Sequence, residues 1–173
     1  MSLRQFISSR ILLRSFDIIK DNAVLKWKEF ASIFGLEDDL YYNPRHRKIT
    51  RPVTAILIGA GHRGSNYASY SKTFPEELQI VGVADINPER RKKTAKAYNI
   101  PEHMIFNDWS TVFKIEKLAD AVIIATPDNL HTAPCLAALD AGYDVLLEKP
   151  IAPTEEECRL ILKRAKETGR IVG

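Results

Sequence analysis

The chain has 173 residues, 25 Lys and Arg against 22 Asp and Glu, 45% hydrophobic residues and 27% charged residues. That is the composition of a globular protein with room for one core, and a net charge of only +3 excludes disorder as a global description. No apolar run approaches the roughly 18 residues that a membrane-spanning helix needs. Cys135 and Cys158 give neither a disulfide framework nor a metal-ligating spacing, so no metal is expected and a reducing, cytoplasmic compartment is the default.

Charge is unevenly spread along the chain. Residues 1–52 carry ten basic and six acidic side chains, residues 53–173 fifteen and sixteen. The positive excess is confined to the first third and no aromatic–basic motif accompanies it, so nucleic acid is not an expected partner. Residues 2–16 hold Arg4, Arg10 and Arg14 and no acid. They read either as an organellar transit peptide or as an amphipathic helix that docks on a core or a partner. Residues 22–34 put Val24, Trp27, Ala31 and Phe34 on one helical face, and residues 41–51 read as a linker. The expected organisation is a helical extension over residues 1–51 and an α/β domain over residues 52–173.

From Pro52 onward, strands and helices alternate. Residues 53–58 form a short continuous apolar run, the signature of a strand buried on both faces. A glycine-rich turn and a helix to about Thr73 follow. Residues 78–84 predict a second strand, and residues 88–98 a charged helix with Pro88 in its first turn. Short elements are expected at 104–106 (strand) and 109–113 (helix). Residues 121–125 predict a fourth strand, 129–141 a helix ended by Gly142, and 143–147 a fifth strand. Thr154 and Glu157 have capping-box spacing for a helix closing at Gly169, and residues 171–173 begin a sixth strand. Strands separated by such helices imply right-handed crossovers and a doubly wound parallel sheet, a Rossmann-type α/β domain.

The strongest chemical signal is Gly59-Ala60-Gly61-His62-Arg63-Gly64, a GxGxxG string that follows a buried strand and opens a helix. In that setting Gly59 permits the tight turn, Gly61 lets a pyrophosphate approach the backbone, and Gly64 allows helix and strand to pack closely. The helix N-terminus supplies N–H donors and a favourable dipole. Asp85 ends the second strand 21 residues beyond Gly64, where a carboxylate binds ribose hydroxyls and repels a 2′-phosphate. NAD is therefore favoured over NADP, although Arg90-Arg91-Lys92-Lys93 could neutralise a phosphate if they are not simply a solvated face. Within the turn, Arg63 suits a pyrophosphate or the adenine face; equally, His62 and Arg63 could both be exposed loop residues.

Thr126, Pro127, Asp128, Asn129, Leu130 and His131 follow the fourth strand and so lie at the crevice beyond the strand ends. Asp128 or Asn129 could also be only a helix cap, and His131 a polar residue of the first turn. Glu148-Lys149-Pro150 closes the fifth strand in the same crevice. Lys149 there can donate to a substrate oxygen and favour the alkoxide that develops during hydride transfer; a surface Glu–Lys pair before a proline turn is the alternative.

Taken in order, AILIGAGHRG, VGVADINPERR and IIATPDNLHTAPCLAALDAGYDVLLEKP resemble the Gfo/Idh/MocA oxidoreductases, the glucose–fructose oxidoreductase and inositol dehydrogenase family. The resemblance covers residues 53–173 and says nothing about residues 1–52. It implies an N-terminal NAD- or NADP-binding Rossmann domain and a C-terminal α/β domain that carries most of a sugar or cyclitol site. By resemblance Gly59, Gly61 and Gly64 hold the pyrophosphate and Asp85 the ribose. The loop containing Thr126, Pro127, Asn129 and His131 approaches the nicotinamide, Lys149 is the active-site lysine, and Glu148 and Pro150 shape its loop. The family's substrate domain, with its aspartate–histidine constellation, is expected to be missing from this chain. An uncovered sixth strand would then favour self-association. The competing expectations are a non-catalytic dinucleotide-binding module, which turnover separates from an oxidoreductase, and another Rossmann reductase such as the biliverdin reductase relatives.

Overall fold

A computed structural model describes residues 51–173, which form one compact unit. The helices expected over residues 2–16 and 22–34, and the linker up to Thr50, lie outside the described residues. Within the unit, five parallel strands are ordered β3-β2-β1-β4-β5. They are β1 (Val53–Ile58), β2 (Leu78–Ala84), β3 (Ile105–Phe106), β4 (Ala121–Ile124) and β5 (Asp144–Leu147). Val172 pairs in parallel with Val145, which puts the start of a sixth strand beyond β5. The strand order therefore runs outward from β1 in both directions, the doubly wound arrangement with its switch point between β1 and β4.

The central strands are where the sequence is most continuously apolar. Ile56, Leu57, Ile58, Val122 and Ile124 are each at most 1% exposed. Burying such a side chain stabilises the fold by roughly 1.5–3 kcal/mol. The connecting helices are α1 (His62–Thr73), α2 (Pro88–Tyr98), α3 (Trp109–Val112), α4 (Thr132–Asp140) and α5 (Glu155–Thr168). Right-handed crossovers set α1 and α2 on one face of the sheet and α4 and α5 on the other.

Local chemistry explains the element ends. Asn87 caps α2 by accepting from the backbone N–H groups of Glu89 and Arg90 at 3.0 and 3.1 Å. Asn99 and Gly169 end α2 and α5 in the left-handed region. Only half of the expected capping box forms at α5. Thr154 Oγ1 accepts from Glu157 N, but the Glu157 carboxylate accepts from the Thr154 and Thr132 hydroxyls and so links α5 to the start of α4.

Six boundaries differ from the sequence expectation: α3, β4 and α4 each end one residue early, and three starts shift for local reasons. Met104 belongs to a 3-10 turn (Glu102–Met104), because its N–H is bonded to Pro101 O. The helix expected from Asn129 starts later, at Thr132, after a 3-10 turn (Asp128–Leu130). Tyr143 precedes β5 because its N–H closes the end of α4 on Ala138 O, while its buried hydroxyl accepts from Leu118 N at 2.8 Å.

Candidate functional site

The carboxyl ends of β1, β4 and β5 lie side by side, and three backbone bonds carry the ladder past them. Gly59 N donates to Ala84 O, Ala125 N to Ile58 O, and Glu148 N to Ile124 O, at 2.8–2.9 Å. Loops leaving these strands lie at the switch point, where open α/β sheets bind ligands.

The three glycines of the turn do three different things. Gly59 has φ +89°, and a Cβ there would sit 2.7 Å from the Ala125 carbonyl. A Cβ on Gly64 would lie 2.0 Å from Gly59 O, so α1 can pack on the turn only with glycine at that position. Gly61 is different: its φ is an ordinary −72°, and an added Cβ would meet only the Arg90 guanidinium, at 3.8 Å. Nothing inside the fold requires glycine there, and the space it leaves opens into the crevice. Gly61 also starts α1 without a side-chain cap, and the first turn carries no acid. The helix therefore presents bare N–H donors and positive dipole to that space, which fits a dinucleotide pyrophosphate.

Asp85 sits just past β2 and is buried. Its Oδ2 accepts from Ala60 N at 2.7 Å and its Oδ1 from Asn87 N at 2.8 Å, so the carboxylate ties the glycine turn to the start of α2. A carboxylate has about four acceptor sites, and two backbone bonds leave capacity for hydroxyls. Of the basic run that follows, Arg91 is half-buried and donates to Asp85 O at 2.5 Å, while Arg90 reaches within 3.9 Å of Asp85 Oδ2. Exposed Lys92 and Lys93 are the solvated part of the run. A cleft of about 440 Å³ leads from Ala60, Gly61 and His62 between α1 and α2, with Lys72, Arg90 and Lys93 in its walls.

Arg63 is exposed, as one of its two expectations had it, but lies in the first turn of α1 rather than in a loop. It points to the end of β5, where Nε donates to Glu148 Oε1 at 3.1 Å and Nη2 lies 3.0 Å from the same oxygen. The other Glu148 oxygen accepts a short bond from the Tyr67 hydroxyl. Arg63 and Tyr67 are four residues apart on α1, the spacing that puts two side chains on one helical face. Buried Glu148 is thus held by α1, 81 and 85 residues away in sequence. Burial pushes the Glu148 carboxyl up, but the Tyr67 and Arg63 bonds outweigh it and hold the pKa below the ordinary carboxylate range. Tyr67 is pushed up to about 12, first by its own burial and then by that carboxylate, and so remains a donor. Sequence reasoning missed Tyr67, whose only trace was its spacing from Arg63.

Lys149 is exposed, directly after the anchored Glu148 and before a cis proline at 150. Thr126 is half-buried, and Pro127 and Asn129 are exposed at the mouth of β4. His131 precedes α4 but makes no capping bond. Its ring is fully buried, with Nδ1 2.8 Å from Pro150 O and Nε2 2.9 Å from Thr126 O. The expectation of His131 as a capping-side residue is corrected accordingly: its ring contacts are to the two loops, not to the helix. Among the described residues no group of three His, Cys, Asp or Glu is arranged to hold a metal.

A bare helix N-terminus over a glycine turn, a carboxylate closing the neighbouring strand and a crevice at the sheet's switch point are together the architecture of a dinucleotide-binding domain. The family model described as an oxidoreductase family with an NAD-binding Rossmann fold matches residues 53–173, and the chain belongs to this Gfo/Idh/MocA family. It is 32% identical over 120 residues to an inositol 2-dehydrogenase of Acidothermus cellulolyticus, which covers 69% of this chain and 34% of the relative. To the D-glucoside 3-dehydrogenase of Escherichia coli it is 30% identical over 122 residues, covering 70% and 34%. The structure of the WlbA dehydrogenase from Bordetella pertussis, in complex with NADH and UDP-GlcNAcA, matches with a TM-score of 0.64 and 27% identity. That match covers 69% of this chain and 35% of the other. The chain spans about a third of the length of these relatives.

Proposed function

We propose that the chain is the cofactor-binding portion of an NAD-dependent oxidoreductase acting on a secondary alcohol or ketone of a sugar or cyclitol, with Lys149 as its catalytic residue. The observation that carries this reading is the meeting of the glycine turn and the Lys149 loop at one crevice, joined by the Arg63–Glu148 pair. The names of the relatives, an inositol dehydrogenase and a glucoside dehydrogenase, favour the substrate class.

The dinucleotide, when bound, supplies the hydride donor or acceptor. Gly59, Gly61 and Gly64 with the first N–H groups of α1 hold its pyrophosphate, and Asp85 takes the adenosine ribose and disfavours a 2′-phosphate. Thr126, Pro127 and Asn129 line the nicotinamide side. The Lys149 ammonium donates to the alcohol or ketone oxygen, and its charge favours the alkoxide formed as hydride moves. Burial pushes the Cys135 thiol up to about 12, so it stays protonated and takes no part. A reducing, cytoplasmic setting suits both free cysteines. Among the described residues no helix is long and apolar enough to cross a membrane.

Turnover with NAD and a panel of sugars and cyclitols, followed by absorbance of the reduced cofactor, tests this reading. Residues 1–173 alone should turn over little, because one wall of a crevice cannot hold the alcohol carbon at the roughly 3–3.5 Å that reaction needs. In a chain continued through a substrate domain, Lys149→Ala should lower kcat by about 10²–10⁴-fold and leave NAD affinity unchanged. Robust turnover by residues 1–173, or an undiminished kcat without Lys149, would overturn it.

A further inference from the structure

We propose that the cleft between α1 and α2 is a second anion site, which takes an oligophosphate chain, free or carried by a nucleotide. Its volume of about 440 Å³ falls within the usual range of small-molecule sites. The cleft opens at the glycine turn and runs along α1 from His62 to Lys72, roughly 15 Å at the helical rise. The two helices contribute small side chains to it, Ala68 from one and Ala97 from the other, so the fold itself does not fill the gap.

The lining carries one sign of charge. Lys72 on α1 and Arg90 and Lys93 on α2 stand in the walls, and among the described residues no Asp or Glu does. Walls of one sign focus the field and concentrate the opposite ion. Arg90 is shared at the mouth with Asp85, 3.9 Å away. Lys93 pairs with no carboxylate. The Lys72 ammonium lies 4.9 Å from the centre of the Tyr98 ring, a contact that keeps it at the cleft. The uncompensated charge therefore sits in the inner part, away from the glycine turn.

Thr94 supplies an independent observation. It is only 7% exposed and lines the cleft, yet its hydroxyl makes no hydrogen bond among the described residues. Buried hydroxyls are ordinarily bonded. Across the cleft the Ser65 hydroxyl is equally uncommitted, whereas Ser69 already donates to Asn66 O at 2.7 Å. Ammonium groups only donate and hydroxyls can donate, so the matching ligand offers acceptors along its length. A single carboxylate would meet one lysine; a phosphate chain meets both lysines and both hydroxyls. One effect opposes it, the negative ends of the two helix dipoles near Lys72 and Tyr98. The chain is accordingly centred on Lys93 and Thr94, more than a helical turn short of the end of α2.

Titration calorimetry of tripolyphosphate and of ATP into the full chain, each with and without excess NAD, tests the proposal. Tripolyphosphate should bind once per chain, and NAD should not displace it. ATP binding no tighter assigns recognition to the phosphate chain alone, and tighter ATP binding assigns it to a nucleotide; both support the site. Lys72→Gln with Lys93→Gln should weaken tripolyphosphate binding by about tenfold or more at an unchanged melting temperature. Lys92→Gln with Lys96→Gln removes equal charge from outside the cleft and should weaken it by about twofold or less. Thr94→Val keeps the side chain's shape without its hydroxyl and should weaken it by about threefold or more, a reading that stands even if the first double variant melts early. No tripolyphosphate binding, equal losses in the two double variants, or displacement by NAD would overturn the proposal. The site does not rest on the function proposed above: failure of the unmodified chain to bind NAD would sink the cofactor reading and leave the second anion site standing.

Discussion

Asp85 is a structural carboxylate to which the proposed function adds a ligand-directed role. Its two oxygens hold Ala60 N and Asn87 N, which leaves about two of a carboxylate's four acceptor sites unused by these bonds. Asp85→Ala should therefore do two things at once. It removes buried acceptors from two backbone donors, at a cost of about 1–3 kcal/mol in stability. It also removes the proposed ribose partner and releases Arg90, now 3.9 Å away, to meet a 2′-phosphate. The expected outcome is a lower melting temperature, roughly tenfold weaker NAD binding, and a NAD-over-NADP preference that shrinks or reverses, read by calorimetry with both cofactors. An unchanged preference would show that discrimination lies elsewhere. Arg63, suited to phosphate by its chemistry, bonds to Glu148 while its side chain stays 55% exposed.

At the scale of elements, legibility followed the range of the interactions. The bounds of β1, β2 and α2 were readable because each is set locally, by an apolar run or by Pro88, whereas Asn99 in the left-handed region passed unread. The start of α4 was not, since His131 is drawn to Pro150, 19 residues along the chain. The Arg63–Tyr67–Glu148 cluster joins groups more than 80 residues apart, and nothing in a sequence window pairs them. The glycine turn was legible as a motif, but its division of labour needed coordinates. Gly59→Ala should unfold the turn or sharply lower the melting temperature, because it adds both a positive-φ penalty and a 2.7 Å clash with backbone. Gly61→Ala should melt within about 0.5 kcal/mol of the unmodified chain, as an unobstructed substitution does. Equal melting of the two variants would refute the division.

Across the whole molecule, two depressed carboxylates tie distant parts together. Asp120, ahead of β4, accepts from both terminal nitrogens of Arg51 and from Thr54 N and Oγ1. The Arg51 guanidinium is the leading cause that holds its carboxyl well below the usual range, against the opposing effect of burial, with the Thr54 bonds adding to it. Glu148 is shifted the same way. A carboxylate with a lowered folded pKa contributes stability above its unfolded value, about 4, and loses it as pH falls through the folded value. The melting temperature should thus hold from pH 7 to about 5 and then fall by roughly several degrees toward pH 3. Asp120→Asn should start lower at pH 7 and fall less steeply. A melting temperature that rises on acidification from pH 5 to 3 would contradict the assignment.

The claim on which the rest depends is that a dinucleotide lies over the Gly59–Gly64 turn, in the space left by Gly61. Titration calorimetry of NAD into the unmodified chain and into Gly61→Ala, with melting curves for both, tests it most directly. The unmodified chain should bind NAD, and more tightly than NADP, while Gly61→Ala should melt alike yet bind at least about tenfold more weakly, because its methyl group fills the path of the pyrophosphate. Equal NAD affinity in the two proteins, or no binding by the unmodified chain, would contradict the account.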